Sequence, residues 1–221
     1  MNGAWESESP SVLVGILTRE IVSMKWAMGF RNLMLPPSSG ITVRSGAPYD
    51  VARNAICADA LQHHFQWIFF VDDDVISPPD VYMRLVKHDL DIVSGLYYRR
   101  HEPICPVAMK TDDTGKHQWV TAWSPPNSML EVDLVGAGCL LIHRRVLERM
   151  SPPWFEWQIG REPAQVSGAA PKRGALSEDF AFCVKAKEAG FKVHLDTSIR
   201  CDHVGLGQAT PDGDFRPSGL P

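Results

Sequence analysis

Several kinds of segment are missing from this sequence, and each absence excludes a class of protein. No run approaches the ~20 apolar residues needed to cross a bilayer, so no stable membrane insertion is expected. No basic cluster stands out, and the net charge is −4, which disfavours a dedicated nucleic-acid binder. The polar and acidic residues 1–10 lack the basic and apolar regions of a signal peptide. We therefore expect a cytoplasmic protein, or one of the host cytoplasm if a phage encodes it.

Cysteine usage also excludes a disulfide-based scaffold. The number of cysteines is odd, and no C-x-x-C pair occurs. This pattern predicts reduced intracellular thiols and no disulfide framework. Cys201 and His203 form a C-x-H pair, but no second cluster completes a structural zinc site.

One segment indicates chemistry directly. The apolar, β-prone run 67–71 ends in three consecutive carboxylates, Asp72, Asp73 and Asp74. Three acids at a strand end repel one another unless a divalent cation is bound there, because hard cations take carboxylate oxygens as ligands. In open α/β sheets, ligands bind beyond the carboxyl ends of the strands. The segment therefore predicts a metal-assisted site for a phosphate-bearing substrate; the plainer alternative is an acidic, solvated strand–loop junction.

The first half of the chain alternates between strand and helix patterns. This order predicts a parallel sheet with right-handed crossovers. Asp50 is the predicted N-cap of the second helix, and Ser77 caps the third. The predicted strands are 12–18, 41–44, 67–71 and 91–94, and the predicted helices are 20–33, 50–64 and 77–87.

The second half is less regular. A hairpin is predicted over 103–123 with its turn at 112–115, then strands at 131–135 and 140–143, helices at 144–150 and 177–189, and a strand at 192–196. The segment 151–176 has no period and is interpreted as an acceptor or lid loop. We predict one domain, residues 11–205, between an N-terminal tail, 1–10, and a flexible C-terminal tail, 206–221.

Four short motifs, taken in order, resemble a known family. They are Ala52-Arg53-Asn54, the triplet 72–74, Ser177-Glu178-Asp179 and Cys201-Asp202-His203. Their order and spacing over residues 12–205 resemble GT-A glycosyltransferases, especially glycosyltransferase family 2 and its small phage and bacterial members. The resemblance implies an α/β, Rossmann-like GT-A fold. This is a mixed, mostly parallel central sheet flanked by helices, in a single domain.

The resemblance also implies a reaction and a role for each matching residue. One sugar would pass from a nucleotide-sugar, with UDP as the default, to an acceptor hydroxyl with inversion. The implied metal is Mn²⁺ or Mg²⁺, and the acceptor is a glycan, a lipid, a protein or a modified DNA base. Asp179 would be the catalytic base, and Asp72, Asp74 and His203 would serve the metal. The implied nucleotide-sugar-binding residues are Thr18, Arg19, Arg53, Asp72, Asp73, Gly136, Ala137 and Gly138.

Each of these roles has a structural alternative. Glu178 and Asp179 also suit a helix N-terminus through the macrodipole. Arg53 can be a solvated helix residue, and His203 a hydrogen-bonded or surface histidine. The segments 97–100 and 154–157 can bind phosphate or sugar, or simply pack.

Two rival functions remain open at this point. A nucleotidyltransferase or pyrophosphorylase also places acids at strand ends, but the segment 17–21 after the first strand lacks its glycine-rich loop. A non-catalytic nucleotide-sugar-binding module would keep the metal acids without needing Asp179. The segment 41–46 lacks the acid that often contacts the base, which leaves the identity of the nucleotide less secure. The Q-x-x-R-W motif of processive synthases is absent as well, so a polysaccharide polymerase is not expected.

Overall fold

The computed structural model describes residues 11–159, 175–204, 207–209 and 215–217. Strands and helices alternate through the first half of the chain, as predicted. These elements are β1 (Val12–Thr18), α1 (Met24–Arg31), β2 (Ser39–Ser45), α2 (Tyr49–Gln62), β3 (Trp67–Asp72), β4 (Val75–Ile76), α3 (Val81–Val86) and β5 (Ile92–Leu96).

The second half contains short strands and two helices. The predicted hairpin is confirmed, since β6 and β7 pair with Thr111 opposite His117. The elements are β6 (Ala108–Thr111), β7 (His117–Trp119), β8 (Met129–Val132), β9 (Leu134–Val135), β10 (Cys139–His143), α4 (Arg144–Arg149), β11 (Gln158–Ile159), β12 (Ala175–Leu176), α5 (Glu178–Glu188), β13 (Val193–Arg200), β14 (Asp202–Val204), β15 (Gly207–Ala209) and β16 (Phe215–Pro217).

The central sheet has seven strands in the order β2-β1-β3-β10-β5-β13-β8. Strands β2, β1 and β3 are parallel, and so are β5 and β13. Strand β10 lies between β3 and β5 and is antiparallel to both, while β8 is antiparallel to β13. The sheet is therefore mixed but mostly parallel, and β1, β3, β5 and β13 end at the same edge.

Strand β3 lies at the centre of the core and contributes to both faces of the sheet. Ile68 and Phe70 pack with residues of α2, α4 and α5 on one face. Trp67, Phe69 and Val71 pack with residues of α1 and α3 on the other. A strand covered on both faces needs apolar side chains at every position, which explains the uninterrupted apolar run.

Three helix starts differ from the predicted ones. Helix α3 begins at Val81 with Asp80 as its N-cap, so the prediction that Ser77 caps it is wrong. Helix α2 begins at Tyr49 after Pro48, so the prediction of Asp50 as its N-cap is wrong. Asp50 instead lies in the first turn, where its negative charge stabilises the helix by interacting with the helix dipole. Helix α1 begins later than predicted, because Glu20 has a positive φ of 74° and the Ser23 side chain caps the helix by accepting the N–H of Trp26 at 3.0 Å.

Parts of the predicted tails and loop lie outside the described residues. Residues 1–10 and 160–174 are not described, so the lid role of 151–176 stays a prediction. Strands β11 and β12 pair at the two ends of that loop. Within the predicted C-terminal tail, β15 and β16 continue a small sheet in the order β16-β15-β14-β4, and the flexibility of the tail stays a prediction. No helix within the described ranges is long and apolar enough to cross a membrane.

Candidate active site

The carboxyl edge of the sheet brings the predicted motifs together. Asp72 ends β3 and lies beside Leu17 of β1, one residue before Thr18. The N–H of Asp72 donates to the carbonyl of Gly138 at 3.1 Å, and the Trp26 indole N–H donates to the Asp72 carbonyl at 2.8 Å. The junction after β3 is therefore held on both sides by backbone groups.

A pairing between β4 and β14 places His203 next to Asp74. The N–H of Val204 donates to the Asp74 carbonyl at 2.8 Å, and His203 Nε2 lies 3.5 Å from Asp74 Oδ2. Burial opposes ionisation of Asp74, but the hydrogen bond and charge of His203, with the charge of Arg100, hold its pKa below the usual value. Asp74 is therefore an anion at neutral pH, as a metal ligand must be.

The second nitrogen of His203 is 2.7 Å from the carbonyl oxygen of Tyr98. A carbonyl only accepts, so Nδ1 carries the proton and Nε2 faces Asp74. Metal-ligating histidines are commonly oriented in this way. Asp74 and His203 Nε2 would offer a bound metal one oxygen and one nitrogen donor in place of their mutual hydrogen bond.

Three other observations bear on the metal assignment. Arg100 Nη1 lies 3.0 Å from Asp74 Oδ2, so this cation pairs with the carboxylate that a metal would use. Asp72 is directed to Arg53 and not to His203. Within the ranges that the structure describes, no group of three or more His, Cys, Asp or Glu side chains is arranged to hold a metal ion. The metal role of Asp72, Asp74 and His203 stays a prediction.

Arg53 is the centre of a buried ion cluster. Its side chain is 3% exposed, with Nη2 at 2.9 Å from Asp72 Oδ1 and Nε at 3.3 Å from Glu178 Oε1. Its guanidinium lies over the rings of Phe70 and Phe155, at 5.0 and 5.8 Å from their centroids. The alternative of a solvated helix residue is therefore wrong. The guanidinium instead joins the end of β3 to the start of α5.

This cluster contains more acidic groups than basic ones. Burial opposes the charge of Arg53, but Asp72 and Glu178 together raise its pKa above the ordinary value. Burial raises the pKa of Asp72, and burial together with the charge of Asp179 raises that of Glu178. One guanidinium thus faces several carboxyl groups, so the pocket favours additional positive charge.

Asp179 lies in the first turn of α5, beside Glu178. Its Oδ1 accepts the N–H of Phe180 at 2.8 Å and contacts the Ser177 hydroxyl. Its charge raises the pKa of both Asp72 and Glu178, so it belongs to the same cluster. The helix-dipole reading is compatible with this position, and the catalytic role stays a prediction.

The small residues 136–138 pack directly under the site. A Cβ on Gly136 would lie 2.1 Å from the Tyr97 hydroxyl, and the Gly138 N–H donates to that oxygen at 3.0 Å. The Ala137 carbonyl accepts from Arg53 Nη1 at 3.5 Å. Glycine is therefore required at 136 for packing, whichever ligand binds above it.

A cavity of about 340 Å³ opens beyond β1 and β2. Arg19 donates its backbone N–H to Asp73 Oδ2 at 3.3 Å, and its guanidinium lies 5.9 Å from the Tyr49 ring centroid. The position next to the acidic triplet suits a nucleoside. The cavity is lined by Leu17, Thr18, Arg19, Arg44, Gly46, Ala47, Pro48 and Tyr49.

Neither a family model nor a curated protein matches this sequence. Among solved structures, A197 from STIV has a TM-score of 0.65 at 19% identity, covering 96% of this chain and 95% of A197. S. aureus TarS in complex with UDP-GlcNAc has a TM-score of 0.45 at 11% identity, covering 84% of this chain and 55% of that one. The likeness to A197 extends over nearly all of both chains. The fold is GT-A. The predicted fold class, a single α/β domain with a mixed, mostly parallel sheet, is confirmed, and the reaction remains a proposal.

Some residues of the candidate site have no role predicted from the sequence. Glu178 belongs to the Ser177-Glu178-Asp179 motif without a role of its own, and Arg44 and Tyr49 belong to no motif. Tyr97 and Arg100 lie in a segment with an open interpretation. What all of these share is a position just after a strand or at a helix start on the carboxyl edge, which is the signal that could have found them.

Proposed function

We propose that this chain is a metal-dependent glycosyltransferase that moves one sugar from a nucleotide-sugar, with UDP as the default nucleotide, to an acceptor hydroxyl with inversion. The observation that carries the proposal is that Asp72 and Asp179 lie around Arg53, with the Asp74–His203 pair next to Asp72, at one edge of a GT-A sheet. A fold alone does not define a reaction, so the argument rests on this site.

On the donor side, the cavity beyond β1 and β2 holds the nucleoside. Arg19 and Thr18 line it, and the Asp73 side chain fixes the backbone of Arg19. Asp74 and His203 are the residues that would hold Mn²⁺ or Mg²⁺. A bound cation neutralises the charge that develops on the departing diphosphate. A mixed oxygen and nitrogen donor set suits Mn²⁺.

On the acceptor side, Asp179 takes the proton of the attacking hydroxyl. Its Oδ1 is fixed by the N–H of Phe180, so the carboxylate has a set direction. Attack on the anomeric carbon from the Asp179 side, opposite the diphosphate, inverts the configuration.

The test is joint stabilisation by metal and nucleotide. Mn²⁺ plus UDP should raise Tm more than the two separate shifts combined, because ligands that bind only the folded state stabilise it. At 100-fold saturation the gain is about 2.7 kcal/mol, or roughly 5–11 °C for a domain of this size. Asp74→Ala should remove the joint shift, while Asp113→Ala, in the exposed hairpin turn, should keep it.

A full metal-dependent shift in Asp74→Ala would refute the metal assignment. A panel of nucleotide-sugars, each tested for slow hydrolysis with Mn²⁺, would then identify the donor. Absence of a response to every nucleotide tested would refute the glycosyltransferase proposal itself.

A further inference from the structure

A group of aromatic side chains flanks the candidate base. Trp119 of β7 is half-buried, and its ring centroid lies 6.2 Å from that of Phe180. The Arg99 guanidinium lies over the Trp119 ring, 4.6 Å from its centroid. We name Trp119, Phe180 and Arg99 the aromatic platform. Its members come from three separate parts of the chain, so the fold alone brings them together.

The aromatic platform is connected to both sides of the site. Phe180 directly follows Asp179, and its N–H holds the Asp179 carboxylate. Arg99 lies between Tyr98, whose carbonyl contacts His203, and Arg100, whose guanidinium contacts Asp74. The platform is thus adjacent in sequence to the candidate base and to the segment that contacts Asp74 and His203.

The chemistry of the platform favours a particular kind of ring. Partly exposed aromatic side chains give an apolar surface with fixed geometry, on which the apolar face of a sugar ring can stack. Arg99 adds five N–H donors in a planar fork that matches a carboxylate or phosphate. One of these groups, Nη1, donates to the Pro103 carbonyl at 3.2 Å and fixes the guanidinium in place.

We propose that the aromatic platform is the acceptor subsite and that it takes a pyranose ring carrying an anionic substituent. This inference rests on the proposed function and names its acceptor class. The ring stacks against Trp119 and Phe180, the anionic group pairs with Arg99, and a ring hydroxyl points to Asp179. A nucleic-acid acceptor is disfavoured because the chain has a net charge of −4 and Arg99 is a single cation on the platform.

The probes are methyl β-glucuronide, an anionic pyranoside, and methyl β-glucoside, its neutral counterpart. Binding is measured by saturation-transfer NMR and titration on the full chain, with Mn²⁺ and UDP present. The glucuronide should bind more tightly to the wild type. Arg99→Gln should weaken glucuronide binding about tenfold, since it removes a charge-assisted contact, and leave the glucoside unchanged. Trp119→Ala should weaken both, and Trp119→Phe should restore part of the loss.

Met83→Ala is the control, because Met83 of α3 is 48% exposed and belongs neither to the platform nor to a candidate binding segment; it should bind both probes like the wild type. Equal binding of the two pyranosides, undiminished binding in Trp119→Ala, or no binding of either to the wild type would each overturn the proposal. So would tighter binding of a single-stranded oligonucleotide with the same dependence on Trp119 and Arg99. Failure of the donor proposal is seen separately, as a missing joint response to Mn²⁺ and UDP.

Discussion

Arg53→Met tests whether the buried cluster holds the site together. Methionine keeps much of the side-chain length and can still pack on Phe70 and Phe155, so the main change is the loss of charge. Glu178, whose side chain is 6% exposed, would lose its cation while remaining buried. Removing one partner of a buried ion pair costs about 3–5 kcal/mol. For a domain of this size, we expect Tm to fall by roughly 6–20 °C.

The pH dependence of this loss separates a charge effect from a packing effect. Arg53 now opposes the rise in the pKa of Glu178, so without it that pKa moves further above the ordinary value of 4.5. A carboxyl group with a raised folded pKa binds its proton more tightly in the folded state. The stability that this tighter proton binding adds is fully present below the unfolded pKa. It is lost as the pH rises through the folded pKa. The Tm gap between wild type and Arg53→Met should therefore narrow from about pH 8 to about pH 5.

Two controls complete the experiment, which needs only scanning fluorimetry at several pH values. Arg144→Met breaks the Arg144–Glu148 pair, in which the Glu148 side chain is 48% exposed, and should change stability by about 0–1 kcal/mol. The double variant Arg53→Met/Glu178→Gln should recover much of the lost stability. Similar losses for Arg53→Met and Arg144→Met, or a gap that does not vary with pH, would refute the reasoning.

The sequence predicted most of the strands and helices, and it placed the acidic triplet at the carboxyl edge of the sheet. The apolar run 67–71 predicted a buried strand, and β3 is one, with both of its faces covered. The acidic triplet lies at the end of that strand, where the alternation of strands and helices placed it. Local patterns carry this information because a buried strand has apolar side chains along its whole length.

The pairings between distant segments were not predictable. Strand β10 inserts between β3 and β5 and interrupts the parallel order, which no local pattern indicates. Whether Arg53 is solvated or buried is settled only by its contact with Glu178, 125 residues away. His203 reaches Asp74 only through the pairing of β14 with β4. In each case the contact joins segments that are far apart in the sequence. Local helix and strand propensities therefore do not indicate it.

Three further predictions address single groups of the site. Gly136→Ala should lower stability by about 1–3 kcal/mol, measured as a Tm shift, because the new Cβ would overlap the Tyr97 hydroxyl. Arg100→Gln should tighten Mn²⁺ binding in calorimetry if Asp74 is a metal ligand, since it removes a competing cation; weaker binding would contradict that role. Asp179→Asn keeps the size of the side chain but cannot accept a proton. Sugar transfer should then fall by roughly 10²–10⁴-fold, the usual share of general-base catalysis. Nucleotide and metal affinity should change little, because the residue serves the acceptor. If Asp179 only helped the helix to start, asparagine would replace it almost silently in both assays. Loss of transfer and of nucleotide affinity together would mean instead that Asp179 holds the charge cluster, and its assignment as the base would fail.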